Sequence, residues 1–291
     1  MNENIGVPEL EESPLKEHWH SLRQNKTAMA GLIIIVLFLL VGIFSPVLAP
    51  MDPLEQHIEL RKSAPFTNGY ILGTDDLGRD LLSRLIYGAR ISMIIGVISV
   101  SISLFFGVII GMISAYYGGI VDKIIMRLID MMLAFPYILL TIVIVAVLGP
   151  SLTNAMIAIG ISQIPSYARV VRASVLAEKE NDYVLAERAL GASDRELMFG
   201  SILPNCLAPI SVQATLGVGT AILDSAALSF LGLGAQPPTP EWGLMIASSK
   251  EFITSAWWIV TFPGIATLLA VLGFNLLGDG LRDILDPRLR D

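Results

Sequence analysis

The chain has 291 residues, 54% of them hydrophobic and 15% charged, with a mean hydropathy of +0.67. That balance excludes a soluble globular domain and describes a protein that crosses a bilayer several times. A net charge of −7 without a basic cluster argues against nucleic acid as a partner, and the single cysteine, Cys206, excludes an internal disulfide or a cysteine metal cluster.

Residues 1–27 are polar. Ser13-Pro14 reads as a helix start, and Leu15, Trp19 and Leu22 share one face, so a short amphipathic helix on the membrane surface is expected, with a disordered tail as the open alternative. Ala28 to Ala49 carries no charge over 22 residues, enough for a hydrocarbon core of about 30 Å. The run is too long for a signal peptide and further spans follow, so an uncleaved anchor is expected. Residues 50–87 form a polar loop with Gly73-Thr74-Asp75-Asp76-Leu77-Gly78-Arg79-Asp80. Its carboxylates do not have the spacing of a calcium-binding EF-hand, and a cap and turn feeding the next helix is the better reading.

The second span is expected over about Ile91 to Ala115. Ser99, Ser103, Gly107, Gly111 and Ala115 recur every four residues, a stripe of small side chains that lets another helix approach closely. Val121 to Arg127 reads as a short charged surface helix. The third span is expected from Leu128 to Leu148, with Asp130 near its entrance and Pro136 inside it. The fourth runs from Leu152 to Val171, with Gln163 and Pro165. Prolines inside these helices are expected to kink them. The fifth span, Leu207 to Leu231, carries a second small-residue stripe and, beside Ser225, an ionisable Asp224 deep in the apolar run. A carboxylate there costs about 2.5–3.5 kcal/mol on insertion scales, so it must face a cavity or a partner. Two readings stay open, an interhelical hydrogen bond or a place on a translocation path with Ser225 and Gln163. Trp242, Trp257 and Trp258 suit an interface belt. The last span is Ile259 to Leu277. The reading is all-α and polytopic, with six transmembrane helices: a tail 1–27, a first span 28–49, a loop 50–87, a five-helix core 88–280 and a tail 281–291.

Between the fourth and fifth spans lies a polar stretch of both charge signs, residues 182–204. Asp182 can cap a helix from Tyr183 to Leu190. Gly191 ends it in the left-handed conformation. Ser193-Asp194-Arg195-Glu196 is a capping box that opens a second helix, and Pro204 breaks that helix. The result is a rigid knob, longer than a connecting loop requires. With six spans both termini share a side, and that side, knob included, holds 13 lysines and arginines against 6 opposite. The excess places the knob and both termini in the cytoplasm. No phosphate-binding Walker loop and no catalytic constellation is present, so no enzymatic activity and no cofactor is expected.

The knob resembles the cytoplasmic "EAA" signature of permease subunits of binding-protein-dependent ABC importers: EAA, three residues, Gly, nine residues, Ile-x-Leu-Pro. Ala186, Gly191, Leu203 and Pro204 match at that spacing. Leu185, Glu187 and Ser201 depart from it, while the subgroup form Tyr-Val-x-Ala-x-x-x-x-Gly-Ala is intact from Tyr183 to Ala192. The 73–80 run with Tyr87-Gly88-Ala89-Arg90, and the closing Gly278-Asp279-Gly280-Leu281-Arg282-Asp283 with Asp286-Pro287, are similar to the dipeptide, oligopeptide and nickel branch. The resemblance implies a type I importer permease fold in a bacterial inner membrane and import of dipeptides or other short peptides by alternating access. The same importer type with another cargo (haem, a nickel chelate, glutathione or longer peptides) stays open, as does an ATP-independent channel or proton-coupled carrier. The resemblance also implies partnership with a second permease, two ATP-binding subunits and an extracytoplasmic substrate-binding protein. The knob would then dock on an ATPase, with Tyr183, Val184 and Leu190 giving apolar contact, Glu187 and Arg188 charge pairing, Gly191 the elbow, and Ala186 and Ala192 close approach.

Overall fold

The computed structural model describes residues 21–285, whose long elements are all helical. The expected amphipathic helix begins outside that range, as does Asp286-Pro287. The principal helices are α1 (Lys26–Ile43), α2 (Leu81–Tyr117), α3 (Gly119–Leu133), α4 (Tyr137–Leu148), α5 (Leu152–Glu178), α6 (Asp182–Ala189), α7 (Leu207–Phe230), α8 (Trp242–Ser249) and α9 (Trp258–Leu285). Four of them, α1, α2, α7 and α9, are long and apolar enough to cross a bilayer, and α3 with α4 makes a fifth crossing if the pair is one broken span.

Two of the six expected spans depart from a single apolar helix. The third span is not one kinked helix. It breaks at Ala134-Phe135-Pro136, and α3 and α4 diverge by 87°. Pro136 cannot donate a backbone hydrogen bond and disfavours helix at the residue before it. The charged face of α3 holds that helix apart from α4: Arg172 of α5 grips Asp122 with two bonds of 2.6 Å, and Arg169 reaches Asp130 at 2.6 Å. Pro165 and Pro263, by contrast, sit within continuous helices. The fourth expected span, α5, is long enough at 27 residues, about 40 Å, but too polar to stand alone in lipid, and α2, α4 and α7 pack around it.

The small-residue stripe of α2 is the seam against α5. Ser99 donates to the carbonyl of Met156 at 3.1 Å and Ser103 to that of Gly160 at 2.8 Å. A Cβ on Gly111 would come within 2.5 Å of the Ala168 carbonyl, so close helix approach requires glycine there. The stripe thus packs within the chain.

At the other end, α2 begins at Leu81, ten residues before the expected span. Asp80 is its N-cap, accepting from the Ser83 amide at 2.8 Å. Asp75 takes the Nε of Arg79 at 2.7 Å and lies 3.4 Å from the Nε of Arg84, all three buried. The 73–80 run is therefore the cap and turn its spacing suggested, and the structure adds the charge pairing of Asp75 with Arg79 and Arg84. Only Trp257 of the three tryptophans is exposed. Trp242 and Trp258 are buried and donate to the carbonyls of Leu85 and Thr74 at 3.1 and 3.3 Å, which fixes the 232–256 segment to the same platform. The last helix continues through Gly278–Leu281 to Leu285.

Candidate functional site

Two places carry the residues singled out from sequence: the knob at 182–204 and a buried carboxylate, Asp224, held between α4, α5 and α7.

In the knob, α6 starts at Asp182, with Asn181 rather than Asp182 in the N-cap position. Asp182 instead sits in the first turn, where a carboxylate complements the helix dipole. Gly191 has φ +93° and turns the chain, its amide donating to the carbonyl of Arg188 at 3.1 Å. The capping box forms as expected: the Ser193 hydroxyl accepts from the Glu196 amide, and the Glu196 carboxylate accepts from the Ser193 amide at 2.8 Å, which holds that carboxyl below its ordinary range. Pro204 does not end the second helix. Helical structure continues through Leu203–Asn205, and the disturbance lies upstream as a widened, π-helical stretch, Leu197–Ile202. A proline ring clashes with the carbonyl four residues back, and a turn wider by one residue removes that clash.

The knob is fastened to the bundle from below. Val184, Leu197, Met198, Ile202 and Cys206 pack with Met112, Ala115 and Tyr116 of α2 and Val171 and Val175 of α5. Val184 is 0% exposed, so it anchors the knob and offers no outward contact, contrary to the expectation from sequence. Tyr116 donates to Asp194 at 2.6 Å and lies under the guanidinium of Arg188, 5.6 Å from the ring centre. Tyr183 hydrogen bonds Glu178 at 2.5 Å, and burial together with that carboxylate pushes its hydroxyl up to about 12.

The open surface of the knob mixes charge with apolar side chains: Asp182, Arg188, Asp194, Arg195 and Glu196 are exposed beside the apolar ones. Leu190 is 88% exposed, and Tyr183, Leu185 and Phe199 are also open. Ala186 and Pro204 are exposed, while Glu187, Ala192 and Leu203 are half-buried. Two departures from the family pattern meet: Ser201 donates to the Glu187 carboxylate. Leu185 and Phe199 were missed from sequence, although Leu185 occupies the signature's glutamate position.

The second cluster centres on Asp224, 4% exposed. Tyr137 donates to one carboxylate oxygen and Gln163 to the other at 3.3 Å. The predicted pair of Asp224 and Gln163 is thus in contact. Ser225, fully buried, is not part of it, and its hydroxyl has no hydrogen-bond partner. Tyr137 went unrecognised because it lies 87 residues from Asp224. The available signal was a tyrosine opening an otherwise apolar helix directly after Pro136.

A family model described as the binding-protein-dependent transport system inner membrane component matches residues 107–291, and one for the N-terminal transmembrane domain of oligopeptide transport permease C matches residues 13–65. The chain belongs to this permease family. The permease is 55% identical over 283 residues to the dipeptide transport system permease protein DppC of Escherichia coli K12, with 96% of this chain and 94% of that one covered. It is 52% identical over 284 residues to the di/tripeptide transport system permease protein DppC of Pseudomonas aeruginosa UCBPP-PA14, at the same coverage. In fold, the permease is similar to a chain of the MetNI methionine ABC transporter in an inward-facing conformation, with a TM-score of 0.59, 17% identity, and 71% of this chain and 98% of that one covered.

Proposed function

We propose that the permease is one membrane subunit of an ATP-driven importer that carries dipeptides, or other short peptides, across a bacterial inner membrane. The observation that carries the cargo is the identity of 52–55% along nearly the whole length to permeases named for di- and tripeptide transport. In this reading both termini and the knob face the cytoplasm, and each knob of a permease pair seats in an ATP-binding subunit. Residues 182–204 suit such docking, because a stiff elbow, locked to α2 and α5, presents Leu190, Leu185, Phe199 and Tyr183 to a partner. Closure of the ATPases would then move a body rather than a loop, and it can shift the bundle only if the partner binds one arrangement more tightly than the other. ATP hydrolysis belongs to those subunits, and an extracytoplasmic binding protein delivers the peptide.

Asp224 is the group suited to meet a peptide's ammonium end. It is a carboxylate inside the bundle whose partners, a tyrosine hydroxyl and an amide, are neutral and exchangeable. The test is uptake by vesicles containing this permease with its partner permease, ATPases and binding protein. Labelled di- and tripeptides should accumulate only when ATP and binding protein are both present. Accumulation without ATP, or failure of every short peptide to compete, would refute the reading.

A further inference from the structure

We propose that the cleft between α1 and α2 is a binding site for one anionic phospholipid, with its phosphate on Arg90 and an acyl chain in the groove below. The depth of Arg90 follows from α2. It is the last charged residue before the uncharged run 91–121, which is long enough to cross a hydrocarbon core of about 30 Å. Arg90 therefore stands where the polar entrance of α2 gives way to its apolar length. Gly42 lies one residue from the end of α1, and a Cβ built there would fall 3.1 Å from the Cα of Arg90. The backbones of α1 and α2 thus touch beside Arg90, at the entrance to the uncharged run, and the proposal sets its guanidinium at the level of lipid phosphates.

Arg90 is exposed, and among the described residues no carboxylate pairs with it. This sets it apart from Arg79, Arg84, Arg169 and Arg172, each paired with an aspartate. From Arg90 a groove of about 440 Å³ runs along Leu39 and Ile43 of α1 and Ile94, Val97 and Ile98 of α2. Leu39 is one turn back from Ile43, and Ile94 to Ile98 lie one to two turns beyond Arg90. Both directions lead from the boundary into the hydrocarbon. A single cation at the mouth of an apolar channel that descends from the phosphate level has the outline of one lipid: a fixed charge for the phosphodiester, then a dry slot for a chain. An arginine that only snorkels needs the first of these and not the second.

The test uses the permease purified with its co-purifying subunits and placed in phosphatidylcholine vesicles doped with phosphatidylglycerol spin-labelled on its acyl chain. Arg90→Gln should abolish one motionally restricted phosphatidylglycerol per permease. Val97→Trp, which keeps the charge and fills the slot, should abolish the same one. If both variants retain the wild-type restricted fraction, the site does not exist. If a photocrosslinker placed at position 97 captures a protein chain instead of lipid, the groove is a subunit contact and the proposal fails.

Discussion

Leu190 offers the sharpest separation between docking and folding. Its side chain is 88% exposed in this chain, so truncation to alanine removes almost no internal contact, and surface changes of that kind stay within about 0.5 kcal/mol. If the knob seats in an ATPase groove, the same side chain becomes buried there. Leucine exceeds alanine by three carbons, and burial is worth about 0.8 kcal/mol per methylene. Allowing for incomplete burial, the loss is about 2 kcal/mol, or roughly 30-fold in affinity. Val184→Ala is the contrasting variant. It empties part of a fully buried site beneath α6 and should lower stability by about 1–3 kcal/mol, with any effect on docking secondary to that. The assay is equilibrium binding of the purified ATP-binding subunits to permease in nanodiscs, alongside thermal denaturation of each permease variant. Wild-type affinity for Leu190→Ala would refute the docking surface. So would a melting temperature for Leu190→Ala as low as that of Val184→Ala.

Gly191→Asp places a side chain at φ +93° but meets nothing within 4 Å, so its cost is confined to about 1–3 kcal/mol of backbone strain. Immunoblotting should find the variant in the membrane at the wild-type level, and uptake should fall more than tenfold. Glu187→Ala strips the acceptor from Ser201, whereas Glu187→Ala with Ser201→Ile restores the family pattern at both positions. Uptake should fall in the single variant and recover in the double, and a double variant as poor as the product of the singles would count against a compensating pair. Tyr137→Phe removes a donor from a buried carboxylate, a loss of about 1.5–3 kcal/mol. Import should slow about ten- to a hundredfold. Because the hydroxyl acts through Asp224, Tyr137→Phe with Asp224→Asn should be no slower than Asp224→Asn alone, and additive effects would contradict that.

Local grammar made much of the knob legible. A capping box and a left-handed glycine are short-range chemistry, and Ser193, Glu196 and Gly191 do in the structure what their spacing implies. The four-residue stripe on α2 was legible for the same reason, since helical periodicity alone puts Ser99, Ser103, Gly107 and Gly111 on one face. Long-range pairing was not. Nothing near Asp224 announces Tyr137, and nothing near Val184 says that its face turns inward onto Met112 and Val175. The α3–α4 break lay between these cases. Pro136 signalled a disturbance, but the size of the bend depends on Arg169 and Arg172, which hold α3 from another helix. The fourth span was expected from the sequence although α5 is less apolar than its neighbours, because a helix shielded by protein need not be as apolar as one facing lipid.

The length of α2 carries a mechanical consequence. At 37 residues it measures about 55 Å, nearly twice the hydrocarbon thickness. One end is clamped into the Asp75–Arg79–Arg84 platform, and the other is tied to the elbow by Tyr116 and Asp194. Such a rod behaves as a rocker arm with no joint along its shaft. A displacement imposed at the Tyr116 end is carried along the shaft to the Leu81 end as tilt, so the elbow and the Asp75 platform are linked through one helix.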